Sequence, residues 1–171
     1  MLTTTASGAR AAGLFLIVPA AFIATPAYAD TASSTLDVDA NVTANCVVST
    51  TGIDFGDVNP ISGSNYDSSG SIHVTCTSGT GWSAAAGVGG GSGASFASRR
   101  MTFGTNLLQY NLYTNAARTT VWGDGTGSTG TLSSTGTGSV QNVSVYGRVG
   151  SGQTSVPPGA YEDTVSVTVT Y

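Results

Sequence analysis

Few side chains in this sequence have types and spacing suited to chemistry. Cys46 and Cys76 are the only cysteines, and the C-x-x-C spacing of a redox pair is absent. His73 is the only histidine and falls on the polar phase of an alternating stretch. With no lysine and no second histidine, the chain is poor in general bases and metal ligands, so His73 reads as a surface residue. Asp37 and Asp39 share one face of an extended segment and imitate a carboxylate pair, but near a chain terminus that face is solvated. Asp124, set between two glycines, lacks the D-x-[DN]-x-[DN]-G pattern of a calcium loop. Gly125 to Gly130, GTGSTG, fits G-x-G-x-x-G, yet Thr131 to Gly138 cannot open the helix that a dinucleotide motif requires. These residues assign no catalytic group, no metal and no cofactor, and the chain reads as a non-enzyme. The chemistry left to the cysteines is a bond to each other.

Whether that bond forms depends on the compartment. Arg10 is the only charge before AAGLFLIVPAAFIA, an apolar run of about 14 residues that is too short to span a bilayer and leads to the small-x-small site Ala27–Ala29. Residues 1–29 read as a signal peptide cleaved after Ala29; Pro19 and the charge placement argue against a buried core helix. Export to an oxidising compartment, an even cysteine count and the apolar phase of both residues predict a Cys46–Cys76 disulfide. Closing a loop of about 30 residues is worth roughly 3 to 4 kcal/mol in the chain-entropy view. The exported chain carries four arginines against nine acidic residues, net charge −5. Four scattered arginines make no nucleic-acid footprint.

The elements that must position these residues are strands. The 171 residues suffice for one domain, and 24 glycines, abundant Ser and Thr, and an apolar set rich in Val, Ala and Tyr predict an all-β fold. SIHVTCT alternates, LLQYNLY places Leu108, Tyr110 and Leu112 on one face, and VQNVSVYGRV and YEDTVSVTVTY read as strands again. GVGGGSG and GDGTGSTGTLSSTGTG read as loops. At this spacing the strands predict a sandwich.

Two strands stand apart. STLDVDANVTANC puts Leu36, Val38, Ala40, Val42, Ala44 and Cys46 on one side, and the alternation runs on to Val48 for 13 residues. That is roughly 43 Å, where most strands need about 5 to 6 residues. The last strand faces Val165, Val167, Val169 and Tyr171 one way and Thr164, Ser166, Thr168 and Thr170 the other. It stops where the sequence stops, so its edge is expected to border an uncovered apolar groove. The surplus half at the front, Leu36 to Val42, suits the groove of another copy, while Ala44 to Val48 begins its own domain. Residues 30–44 are therefore expected to be a donor-strand extension and residues 45–171 the sandwich.

ANCVV, IDFGDV, SIHVTCTSGTGW, RRMTFG, LQYNLYTN, WGDGTG, VSVYGRV and PPGAYEDTVSVTVTY, in this order, resemble the spore coat protein U domain, a family that includes major pilins of archaic chaperone-usher systems. The resemblance implies an incomplete immunoglobulin-like β-sandwich completed by a donor strand from a neighbouring subunit. It implies copies of itself or related pilins, a periplasmic chaperone and an outer-membrane usher as partners, with no nucleic acid and no small-molecule substrate. It also implies passage through the periplasm to the cell surface as a fibre for adhesion and biofilm formation. Two other readings stand beside it. One is a self-contained spore or cell-surface coat protein whose N-terminal segment folds back on its own last strand. The other is a secreted carbohydrate-binding module using Trp82, Trp122 and tyrosines, although those aromatics flank apolar strand phases and also suit a core. Isopeptide-linked pili are excluded by the missing lysines, and helical-stalk pilins by the missing apolar helix after residue 29.

Overall fold

A computed structural model describes residues 26–171, and the apolar core of the expected signal peptide lies outside them. The chain divides at Asp39 and Ala40 into two units. Residues 26–39 of the first unit carry no regular structure and are exposed throughout.

The second unit holds β1 (Cys46–Thr51), β2 (Tyr66–Cys76), β3 (Gly81–Ala86), β4 (Arg99–Phe103), β5 (Asn106–Tyr113), β6 (Leu132–Thr135), β7 (Gln141–Val149) and β8 (Val167–Thr170). Five strands form one sheet in the order β1-β2-β7-β5-β4 and three form another in the order β6-β3-β8; every pairing is antiparallel. No helix occurs among the described residues, and the architecture is the expected all-β, immunoglobulin-like sandwich.

Period-2 alternation explains the core. Ile72, Val74 and Cys76 of β2, Leu108, Tyr110 and Leu112 of β5, and Val145 and Val149 of β7 are buried on the inner face of the larger sheet. Facing them, β3 supplies Trp82, Ala84 and Ala86, whose small and large side chains let the layers interdigitate. Both buried indoles find partners: Trp122 Nε1 donates to Ala84 O at 2.9 Å and Trp82 Nε1 to Gln141 Oε1 at 3.0 Å. Neither face is free for stacking on sugars, which removes the two tryptophans from the carbohydrate-binding reading.

β5, β7 and the inner phase of β2 follow the sequence. β2, however, begins at Tyr66, well before SIHVTCT, because its polar first half pairs with β7 from Tyr66↔Val149 onward. β6 lies within a stretch expected to be loop; its one buried residue is Leu132, and pairing with β3 makes it a strand. The final strand is shorter than the alternation suggests. Glu162 bridges Thr102 of β4 in the larger sheet, whereas Val167–Thr170 pairs with β3 in the smaller one. Residues 163–166 therefore carry the chain from one sheet to the other, and one hydrogen-bond ladder cannot include both ends.

A buried cation fastens the loop after β3. Arg99 is fully buried, its Nε and Nη2 donating to Gly87 O at 3.0 and 2.7 Å, Nη2 also to Trp122 O at 2.6 Å, and Nη1 to Asn111 Oδ1 at 2.7 Å. The guanidinium lies 5.6 Å from the Phe96 ring centroid. Burial pushes its pKa down, and the ring of carbonyl acceptors supplies what a carboxylate partner would.

Candidate functional site: a groove between two sheet edges

β1 is the outer strand of the larger sheet and β8 that of the smaller one; among the described residues each is paired on one side only. Between them lies a cavity of about 490 Å³ lined by Thr51 to Ile53 on the β1 side, Val165 and Val167 on the β8 side, and Ile72, Leu112, Trp122 and Val145 beneath. A second cavity of about 590 Å³ adjoins it, running past Val58 and Pro60 on one side and Val156 and Pro157 on the other. The two share Ile53, Phe55, Met101 and Tyr161, so they form one continuous groove. Gly147 of β7 makes room for this wall: a Cβ there would stand 2.7 Å from Phe55 Cζ, which no real contact tolerates.

Of the residues expected at the groove edge, Val165 and Val167 line it. Val169 is half-buried against the core, and Tyr171 is 56% exposed with its hydroxyl donating to Asn45 Oδ1 at 3.4 Å. The expected donor residues are exposed: Leu36 87%, Val38 84% and Val42 82%, with Ala40 likewise in the exposed class and outside any strand.

The two cysteines are bonded. Cys46 and Cys76 are direct partners in the β1–β2 register, and Thr77 N donating to Asn45 O at 2.9 Å brackets them as a non-hydrogen-bonded pair, the closer of the two antiparallel spacings. The bond ties one rim of the groove to the strand beside it.

A polar pair in the groove wall has no counterpart in the sequence reading. Tyr161, Asp163, Val165, Val167 and Val169 share the inward phase, and Asp163 is the one carboxylate among them. Its Oδ2 accepts from Tyr110 Oη at 2.6 Å, and its Oδ1 from Gly90 N at 2.7 Å and Thr164 N at 2.8 Å. Burial first, and then the hydrogen bond to Asp163, push the Tyr110 phenol far above its ordinary range. The available signal was an acid inside an apolar phase, which needs buried donors to exist there.

The other singled-out residues lie away from the groove's chemistry. His73 Nδ1 meets Asn142 Oδ1 at 2.6 Å and its Nε2 meets Thr51 Oγ1 at 2.9 Å and Ser71 Oγ at 3.2 Å, a set satisfied with the proton on Nδ1. Asp124 Oδ1 accepts from Thr126 Oγ1 at 2.6 Å and Thr126 N at 2.9 Å, bonds that hold its carboxyl below the usual range and shape a turn. Asp37 and Asp39 are exposed. On the outer face, Arg148 grips Asp67 with two bonds of 2.6 and 2.8 Å while Arg118 Nε stands 3.3 Å away; the Arg148 bond leads in keeping the Asp67 carboxyl low.

Comparison with known proteins accords with this geometry. Protein U of Myxococcus xanthus is 36% identical over 165 residues, covering 85% of this chain and 88% of its own. A chain in the crystal structure of the CsuC-CsuE chaperone-tip adhesion subunit pre-assembly complex, from the archaic chaperone-usher Csu pili of Acinetobacter baumannii, superposes with a TM-score of 0.55 at 21% identity over 76% of this chain. The match spans 40% of that solved chain, and the likeness is one of fold. The Spore Coat Protein U domain matches residues 32–168, nearly the whole of the described chain, and the protein belongs to that family.

Proposed function

We propose that the protein is a non-catalytic structural subunit of a secreted surface fibre, polymerised by donor-strand exchange. The observation that carries this reading is an apolar groove open between two sheet edges in a chain that also presents an exposed, alternating apolar segment. Leu36, Val38, Ala40 and Val42 of one copy enter the groove of the next, their backbone pairing with the free edge of β8 and their side chains filling the space above Ile72, Leu112 and Val145. Burying each of the larger side chains stabilises the junction by roughly 1.5 to 3 kcal/mol. Before assembly a periplasmic chaperone covers the same groove, and an outer-membrane usher delivers the subunit to the surface, where the fibre serves adhesion and biofilm formation. The origin of the solved neighbour, a chaperone-usher pilus complex, supports this route.

Residues 1–29 direct export and are cleaved after Ala29. The test is a gel of unboiled surface protein: a regular ladder of multimers that collapses on boiling is expected, and a lone monomer band from abundant folded protein overturns the reading. That second result would favour the self-contained coat protein, a reading that the family's description keeps in view.

A further inference from the structure

We propose that Tyr110 and Asp163 form a strut that holds the empty groove open for strand entry; this rests on the donor-strand reading above. An uncovered apolar groove tends to close, because its walls gain by meeting each other instead of water. Val165 and Val167 on one wall and Ile72 and Val145 beneath line such a gap. What opposes closure must fix the wall to both sheets, and Asp163 does so. Tyr110, which binds its Oδ2 at 2.6 Å, belongs to β5 in the larger sheet. Gly90, which binds its Oδ1 at 2.7 Å, belongs to the loop leaving β3 in the smaller one. The loop is pressed onto the carboxylate, since a Cβ on Gly89 would run into it and the backbone there has φ +87°. Tyr110 is itself braced by Phe55, edge to face at 6.3 Å, at the junction of the two cavities. Both members line the groove, yet neither is needed to fill it. They act as positioning residues, setting where Val165 and Val167 stand.

The experiment uses the full exported chain carrying Val38→Asp, which disables its own segment as a donor while leaving the sandwich untouched. A fluorescent peptide of residues 34–44 supplies the strand, and association and dissociation rates are measured separately. Adding Tyr110→Phe, which keeps the ring and loses the hydroxyl, is expected to slow association about tenfold and to change dissociation by less than about twofold. Tenfold corresponds to about 1.4 kcal/mol, close to the net worth of a hydrogen bond to a charged group. With Tyr110 in place, Asp163→Asn is expected to keep near-parental association, because its amide still accepts from Gly90 and donates to the phenol oxygen; Asp163→Ala is not. A residue that merely stabilised the fold would lower the unfolding midpoint without singling out association. Equal association rates for the parent and Tyr110→Phe overturn the strut. Failure of the parent itself to bind the peptide overturns the donor-strand reading instead. Circular dichroism and the intact Cys46–Cys76 bond establish folding, and if Tyr110→Phe does not fold, the Asp163→Asn and Asp163→Ala pair decides by the same comparison.

Discussion

Cys46 and Cys76 face each other across β1 and β2 with Cα atoms 4.1 Å apart, at the residue where the exposed N-terminal stretch becomes a strand. Protein recovered from the cell surface should weigh two hydrogens less than its reduced form. The Cys46→Ser, Cys76→Ser double variant should lose roughly 2 to 5 kcal/mol of stability, read from the urea midpoint. Free thiols in the folded, exported chain would contradict the assignment.

Phase should govern assembly. Val38→Asp places an unpaired charge where the donor strand is desolvated, and it should abolish the multimer ladder while leaving the disulfide-bonded sandwich intact. Asp39→Ala, one residue away on the opposite phase, should leave the ladder unchanged. A full ladder from Val38→Asp, or none from Asp39→Ala, would show that the register is wrong.

Removing the buried guanidinium should be costly. Arg99→Ala strips Gly87 O, Trp122 O and Asn111 Oδ1 of a donor and opens a cavity beside Phe96. A loss on the order of 3 to 5 kcal/mol is expected in denaturant titrations. Arg99→Lys should recover little of it, because a single ammonium cannot reach this fork of acceptors.

Stability should also fall in alkali. The folded state holds the Tyr110 proton more tightly than the unfolded chain, whose phenol titrates near 10. Its contribution is therefore complete below pH 10 and is lost as pH rises from there towards the raised folded value. Melting curves between pH 9 and about 11 should show a steeper decline for the native chain than for Tyr110→Phe, which has no such proton to lose.

The inward phases of β2 and β5 were legible because a half-buried strand must alternate, and the cysteine pairing was legible because both residues fell on that phase in an exported chain. The short strands were not. β4 reads RRMTF, where Arg99 occupies a core position that composition assigns to an apolar residue, and only the carbonyls of distant loops make that burial tolerable. β6 offers a single apolar residue, and its strand character comes from β3 alongside. The groove itself was anticipated from the unpartnered apolar face of the last strand. Its shape was not, because the wall is also built by Ile53 to Pro60 and Val156 to Tyr161, which lie outside the named strands.

The placement of the disulfide has a mechanical meaning for any assembly that pulls on the N-terminal stretch. Tension arriving at Cys46 meets a covalent cross-link before it can peel β1 from the sheet edge one hydrogen bond at a time. The load passes to β2, whose register with β7 runs through nine residue pairs from Tyr66 to Val74. Those nine pairs must separate before β2 itself can leave the sheet. An edge strand that would otherwise carry the load alone thus becomes a tether anchored one strand further into the sheet.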